Sequence, residues 1–422
     1  MSRRVKILLI SFAGVALLGI LLYQIPSIRS RILWRYEVWA TRFKNTLDPV
    51  VIPTPIPSTP FATFTPHPPT PTLLATEPPT PTLIPLPPQV MLTSPAYEKQ
   101  DINNCGPAVL SMTLRMYMYG WEGTQFDIAN IVKPIKQDRN VNPEELRYYI
   151  LNEAGWLRAE YRVAGTLDLL KRLLSANYPV IVEVASKIDP QDANGRNDDL
   201  WDAHYLLLNG YDDAEGIFIV QDSQHGAEKG ADKKIPYDTL MADWKPFNYL
   251  YMVIYFPQDE EEVKSILGTD WDPDLNRQNA MDIANAAVTA DPEDKFAWFN
   301  LGASLTYFGR YQEAVQAFDK SFTIGLPTRM TRYQFWPFVA YFNADRIDYL
   351  LDITEKTYSI INGNYAEEAL LWHGYGLFRK GDFNGALADW NKALKAHPNY
   401  CDAERAINDY IQPTYDLASC SP

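Results

Sequence analysis

Hydrophobic and polar positions change rhythm several times along this 422-residue chain, and each change marks a different kind of segment. From Ile7 to Ile28 no residue is charged, and Ile7 to Leu22 is a dense apolar run preceded by Arg3, Arg4 and Lys6. Such a stretch is long enough to span a bilayer or to act as a secretion signal. Residues 23–28 offer no small-residue cleavage site, so residues 1–28 read as a basic flank and an uncleaved single-pass anchor, with 29–50 as a juxtamembrane segment. Over 51–90 the apolar periodicity disappears. This tract is rich in Pro and Thr, holds nearly half of the chain's 32 prolines and carries Glu77 as its only formal charge. It has too little to bury and reads as an extended linker, at roughly 3 Å per residue.

From 91 to 258 the pattern is mixed. Apolar residues at helical spacing follow Cys105, and they recur over 144–154 and 166–176. Short β-branched and aromatic runs then predict strands over 178–184, 203–211, 216–222 and 249–256. Helices followed by an antiparallel sheet make an α+β domain. Beyond 259 the strands stop, and an Ala-rich, aromatic-rich helical pattern runs through 259–422. Two segments there align: Trp298, Gly302, Ala314, Phe318 and Pro327 in the first answer Leu370, Gly374, Ala386, Trp390 and Pro398 in the second. Residues 279–292 read as half of an earlier, degenerate copy, and 333–361 as a divergent helical hairpin with an aromatic cluster. Small residues at fixed spacing let helices approach while a large aromatic fills the gap, and this pattern resembles tetratricopeptide repeats. The resemblance implies an array that recruits a protein partner or buttresses its neighbour.

Composition narrows the class. A formal charge of −14 argues against nucleic-acid binding, which usually needs a basic face. Five His and three Cys leave little for a multi-ligand metal site, and neither a cofactor nor a metal is expected. The acidic stretch 187–202, with Asp189, Asp192, Asn194, Asp198 and Asp199, departs from EF-hand spacing. It reads as a solvated loop that forms a rim of a cleft, with Trp201 able to shield it. Topology is pulled two ways. Arg29, Arg31, Arg35, Arg42 and Lys44 after the apolar run favour a cytoplasmic placement by the positive-inside count. The long spacer, and Cys401 and Cys420 close enough to form a disulfide, favour an extracytoplasmic one at the cell membrane.

The candidate chemistry centres on Cys105. It stands in Gln100-Asp101-Ile102-Asn103-Asn104-Cys105-Gly106-Pro107-Ala108, where a polar turn opens into a helical pattern. A thiol at a helix N-terminus meets unpaired backbone N–H groups and the positive end of the macrodipole, both of which favour a nucleophilic thiolate. His204 begins one predicted strand and Asp222 ends the next, so an antiparallel hairpin brings them side by side. A His takes the thiol proton and an Asp fixes its tautomer. His225, three residues past Asp222, is a weaker candidate for the base.

These residues, together with Tyr205-Leu206-Leu207-Leu208-Asn209-Gly210-Tyr211 and Val220-Gln221-Asp222-Ser223, resemble the papain-like peptidases related to bacteriocin-processing, double-glycine leader peptidases. By that resemblance Cys105, His204 and Asp222 form the triad and Gln100 donates to the oxyanion hole. The chain has no Gly-rich Lys-Ser/Thr nucleotide loop, so neither the exporter role nor the leader-peptide substrate carries over. The expectation is a membrane-anchored cysteine peptidase acting on a peptide or protein substrate. Alternatives are a peptidase-like binding scaffold and an acyl transferase using the same thiol.

Overall fold

The computed structural model describes residues 12, 14, 16–47, 85–117, 121–138, 140–187, 201–359, 365–398 and 400–409. Residues 16–23 are helical, the chain turns at Gln24 and Ile25, and helix α1 (Pro26–Leu47) follows. With Arg29, Arg31, Arg35, Arg42 and Lys44 along it, α1 is polar rather than apolar. Among the described residues no helix is long and apolar enough to cross a membrane. The anchor expected over 7–28 therefore lacks a spanning helix among them, and part of it, like most of the 51–90 linker, lies outside the described residues.

The domain that follows is a seven-stranded antiparallel sheet between two helical layers. In chain order it contains β1 (Gln89–Met91), α2 (Cys105–Tyr117), α3 (Gln125–Val132), α4 (Pro143–Tyr148), β2 (Arg158–Arg162), α5 (Leu167–Ser175), β3 (Val180–Lys187), β4 (Trp201–Asp212), β5 (Ile217–Gln221), β6 (Lys233–Pro236), α6 (Tyr237–Trp244), β7 (Tyr251–Tyr255) and α7 (Glu260–Leu267). The strands lie in the order β2-β7-β3-β4-β5-β6, with β1 pairing the end of β4. Both faces are covered, which is why β3 reads as a continuous apolar run. Its alternate residues divide between two cores. Val180, Val182 and Val184 join the leucines of α5 and Trp244 of α6, and Ile181 joins Val109, Leu110, Met112 and Leu114 of α2. Burying each of those α2 side chains contributes about 2 kcal/mol.

Helix α5 shows how local sequence sets an element. The Thr166 side chain caps it by accepting from Leu169 N at 3.1 Å, and Leu169, Leu170, Leu173 and Leu174 form one buried stripe. The expected helix over 144–154 is instead α4, begun by a capping box between Asn142 and Glu145, running into a single π-helical turn over Tyr149–Glu153. Strands β1, β2 and β6 were not anticipated, and β1 begins inside the stretch read as linker. β2 is short and mostly charged, and its Glu160 is held by Arg147 at 3.5 Å and by Arg162 at 2.9 Å.

Eight further helices complete the described chain: α8 (Pro273–Ala290), α9 (Lys295–Tyr307), α10 (Tyr311–Ile324), α11 (Trp336–Asn343), α12 (Ile347–Ser359), α13 (Glu367–Arg379), α14 (Phe383–Ala396) and α15 (Cys401–Asp409). In the pair α9/α10, a Cβ on Gly302 would lie 2.7 Å from the Phe318 ring; in α13/α14, one on Gly374 would lie 2.5 Å from Trp390 Nε1. The two aligned segments thus use the same glycine-against-aromatic contact. Cys401 is disulfide-bonded, whereas Cys105 is free.

The helical region is not a separate body. Val163, Ala164, Trp201, Phe247 and Leu250 from the sheet domain share one apolar core with it. Trp201 stacks on Phe247 at 5.6 Å and tilts against Tyr333 at 5.9 Å, and it is 4% exposed. It seals this junction rather than shielding a cleft. The Asn276 side chain bonds both the N–H and the carbonyl of Val163, at 3.1 and 2.8 Å. Of the acidic stretch 187–202, residues 188–200 lie outside the described residues.

Replacing Gly374 by Ala should lower thermal stability by about 1–3 kcal/mol, since the added methyl group must displace the buried Trp390 ring. Calorimetry checks this, and an unchanged melting temperature would show that the ring moves freely.

Candidate active site

Helix α2 begins where the sequence places it. The Ala108 N–H donates to the Asn104 carbonyl at 2.9 Å, which makes Cys105 the first helical residue. The turn ahead of it is held from α3. Gln125 Oε1 accepts from Asp101 N at 2.6 Å and from Asn104 Nδ2 at 3.2 Å, while its Nε2 donates to Glu98 Oε1 and to the Lys99 carbonyl. Asn103 takes a left-handed φ of 57°, a conformation that Asn tolerates better than most residues. Its carbonyl accepts from the buried ammonium of Lys133 at 2.8 Å. The partly exposed thiol thus sits at the positive end of a helix whose entry turn is fixed by side chains.

The hairpin β4–β5 brings the other two residues together. Its ladder starts at Leu207–Gln221, so the edge of β4 around His204 is open on that side, and Asp222 lies just past the last rung. A one-residue bulge at Asn209 shifts the register, and Asn209 stays bonded through its side chain to Gln221 at 3.2 Å. His204 Nε2 lies 2.9 Å from Asp222 Oδ1, with both side chains buried. The thiol of Cys105 lies close enough to the same imidazole to help raise its pKa. With Nε2 committed to the carboxylate, Nδ1 is the nitrogen left for the thiol.

Electrostatics make an ion pair of the two buried groups. Burial alone would push His204 down, but hydrogen bonds to Asp222 and Cys105 outweigh it and raise its pKa to about 10. Burial likewise opposes the charge on Asp222, yet bonds from His204 and Lys233 hold the carboxylate well below its usual range. Lys233 Nζ reaches Asp222 Oδ2 at 2.8 Å, and the Gln224 N–H donates to Oδ1 at 3.1 Å. His225 stays 3.8 Å from Asp222 Oδ2 and is largely open to solvent, so it does not replace His204.

Gln100 lies beside this pair. Its N–H donates to the Ser223 carbonyl, and the Ser223 hydroxyl donates to Gln100 Oε1, both at 2.9 Å. This fixes the side-chain oxygen and turns the amide Nε2 away from Ser223. All four residues expected from sequence, Gln100, Cys105, His204 and Asp222, thus fall in one neighbourhood. Lys133, Lys233 and Gln125 were not anticipated. Lys233 lies on the unexpected strand β6, and the other two act on a loop remote in sequence. Among the described residues no group of three His, Cys, Asp or Glu side chains is placed to hold a metal ion.

The domain thus has an antiparallel sheet backing a helix that starts at a thiol, with a buried imidazole–carboxylate pair on the adjoining strands. Residues 89–252 match the model of the Peptidase_C39 like family, so the chain carries a C39-like domain that includes all four site residues. Among solved structures, the chain is similar to one described as a C39-like peptidase from Bacillus anthracis, at 15% identity over 39% of this chain and 96% of that one, with a TM-score of 0.32. It is also similar to xylellain, a cysteine protease from Xylella fastidiosa, at 18% identity over 41% of this chain and 87% of that one, with a TM-score of 0.33. No curated protein matches the chain.

The raised histidine has a measurable consequence. Its charge stabilises the fold fully below its unfolded pKa of about 6.5, and that contribution is lost as pH rises through about 10. Asp222 acts oppositely: its contribution is present above its unfolded value and disappears as acid protonates it. In Asp222→Asn the His204 titration should move to lower pH, read by NMR of labelled histidine. A titration that stays near 10 would mean that Asp222 is not what sustains the imidazolium.

Proposed function

We propose that this chain is a cysteine peptidase in which Cys105 attacks a peptide carbonyl, His204 shuttles the proton, Asp222 orients His204, and Gln100 helps to stabilise the oxyanion. One observation carries the reading: a single buried imidazole is bonded to a carboxylate at 2.9 Å and stands beside a thiol at a helix start that helps to raise its pKa. A base oriented by a third group is what converts a weak nucleophile into an effective one.

The steps follow from that arrangement. Sulfur attacks the carbonyl carbon, and the oxyanion is met by the Cys105 N–H and the Gln100 Nε2 amide. The His204 imidazolium then gives its proton to the departing amine, leaving an acyl group on sulfur. The neutral imidazole next takes a proton from water, which attacks the thioester and releases the acid. The ionised Asp222 stays charged throughout, holding Nε2–H and stabilising the imidazolium when it forms. Transfer of the acyl group to an amine instead of water uses the same intermediate.

The helical region supplies a surface for a substrate or protein partner on this reading, and the repeated Gly302–Phe318 and Gly374–Trp390 contacts support a tetratricopeptide-like array. The disulfide at Cys401 supports an oxidising compartment.

With a mixture of peptides as substrates and mass spectrometry of the products, Cys105→Ala should abolish hydrolysis. Gln100→Ala should lower kcat by about 10²–10³-fold with little change in KM. Hydrolysis that persists in Cys105→Ala would end the proposal. Ligated rather than cleaved products would reassign the reaction to acyl transfer on the same thiol.

A further inference from the structure

The loop that fixes the nucleophile's entry turn is itself held by the helical region. Lys133, 2% exposed, donates from its ammonium to the Asn103 carbonyl at 2.8 Å and to the carbonyl of Asp138. Asp138 in turn orders the next residues, its Oδ1 accepting from Asn140 N at 2.9 Å. The side chains of Asn140 and Asn142 then both donate to one oxygen of Glu368, at 3.3 and 2.9 Å. Glu368 stands in the first turn of α13, 226 residues from Asn142, and is 3% exposed. An unbroken series of hydrogen bonds thus runs from the helical region to a carbonyl two residues ahead of Cys105.

The surroundings make this a costly arrangement for a mere spacer. Asp138, Glu145, Glu367 and His397 are all buried around the same loop, and His397 Nδ1 lies 3.7 Å from Glu145 and 3.6 Å from Glu367. Desolvation pulls Lys133 down, opposed chiefly by Asp138 and then by Cys105 itself. Buried charges of this kind destabilise a fold unless their geometry is kept. Burial raises Glu368 well above the usual carboxyl range, with Glu367 and Asp138 adding to the effect. A neutral acid at that position needs only its carbonyl oxygen for the two Asn donors, and a glutamine has the same oxygen.

We propose that Glu368 and Lys133 are positioning residues for Cys105, so that the helical region completes the active site of the C39-like domain instead of serving only to recruit. This rests on the reading of Cys105 as the nucleophile. Neither residue touches the reacting atoms. Each acts through the Asn103–Asn104 turn, whose position sets the alignment of the thiol with His204 and of the Cys105 N–H with the oxyanion.

The test uses the full chain with its disulfide intact and reads the rate at which iodoacetamide alkylates Cys105, followed by mass spectrometry of the Cys105 peptide. This readout needs no substrate. Near pH 6 alkylation depends on the thiolate–imidazolium pair, whereas near pH 10 a misaligned thiol is also ionised. Glu368→Ala should be alkylated about tenfold more slowly than the wild type at about pH 6, yet within about twofold of it at about pH 10. Glu368→Gln should match the wild type at both. Lys133→Met should behave like Glu368→Ala, and the double variant should be no slower than either single one, because both act on one series of bonds. Should Glu368→Ala not fold, Glu368→Leu keeps the volume and takes its place. The proposal is overturned if a folded variant lacking both Glu368 oxygens keeps the wild-type rate near pH 6. It is overturned equally if Glu368→Gln is as slow as Glu368→Ala, or if the losses in the double variant multiply. A wild type that shows the expected alkylation profile but cleaves no peptide contradicts the peptidase reading and leaves the positioning role standing.

Discussion

The hydrogen bond between His204 Nε2 and Asp222 Oδ1, 2.9 Å long and nearly closed to water, is the constraint around which the rest of this domain is arranged. An ionised carboxylate is costly to bury alone. Here it is offset by the imidazole on one oxygen and by Lys233 on the other, with the Gln224 N–H adding a third donor. Holding those partners in register requires the β4–β5 hairpin with its bulge at Asn209. The hairpin in turn requires the two apolar faces that sandwich the sheet between helices. The thiol is then brought beside the same imidazole by a helix whose buried stripe packs on the same sheet.

This chain of dependence extends past the sheet domain. The junction built on Trp201, Phe247 and Tyr333 fuses the helical region to the end of the sheet, and Asn276 ties α8 to the backbone of Val163. A loosely tethered array would show neither feature. The buried polar residues along the same boundary, from Lys133 through Asn140 and Asn142 to Glu368, connect that rigidity to the turn preceding the nucleophile. An interface that carries so many desolvated ionisable groups has little tolerance for sliding, since any slip strands a charge without its partner.

Much of the site was legible in the sequence because its signals are local. The polar turn before Cys105, the Thr166 cap with its leucine stripe, and the two strands joined by Asp212-Asp213-Ala214-Glu215-Gly216 each follow from periodicity and turn chemistry. His204 and Asp222 could be paired because hairpin geometry converts a short sequence separation into contact. What was not legible depends on long-range pairing. Strand β2 is short and three of its five residues are charged, one of them the buried Arg162, and its pairing is with the distant β7. Lys133 looks like any surface lysine at the end of a helix. Trp201 beside an acidic stretch suggested a cover for the cleft, and only the packing of the helical region assigns it to a junction.

The central claim is that Cys105 carries the acyl group, and trapping that intermediate tests it most directly. Mixing the full chain with an activated peptide ester, quenching with acid and mapping the modified peptide by mass spectrometry should find one acyl group per chain, attached to Cys105. Turnover of the ester with the acyl group on another residue, or with Cys105 never modified, would contradict the account.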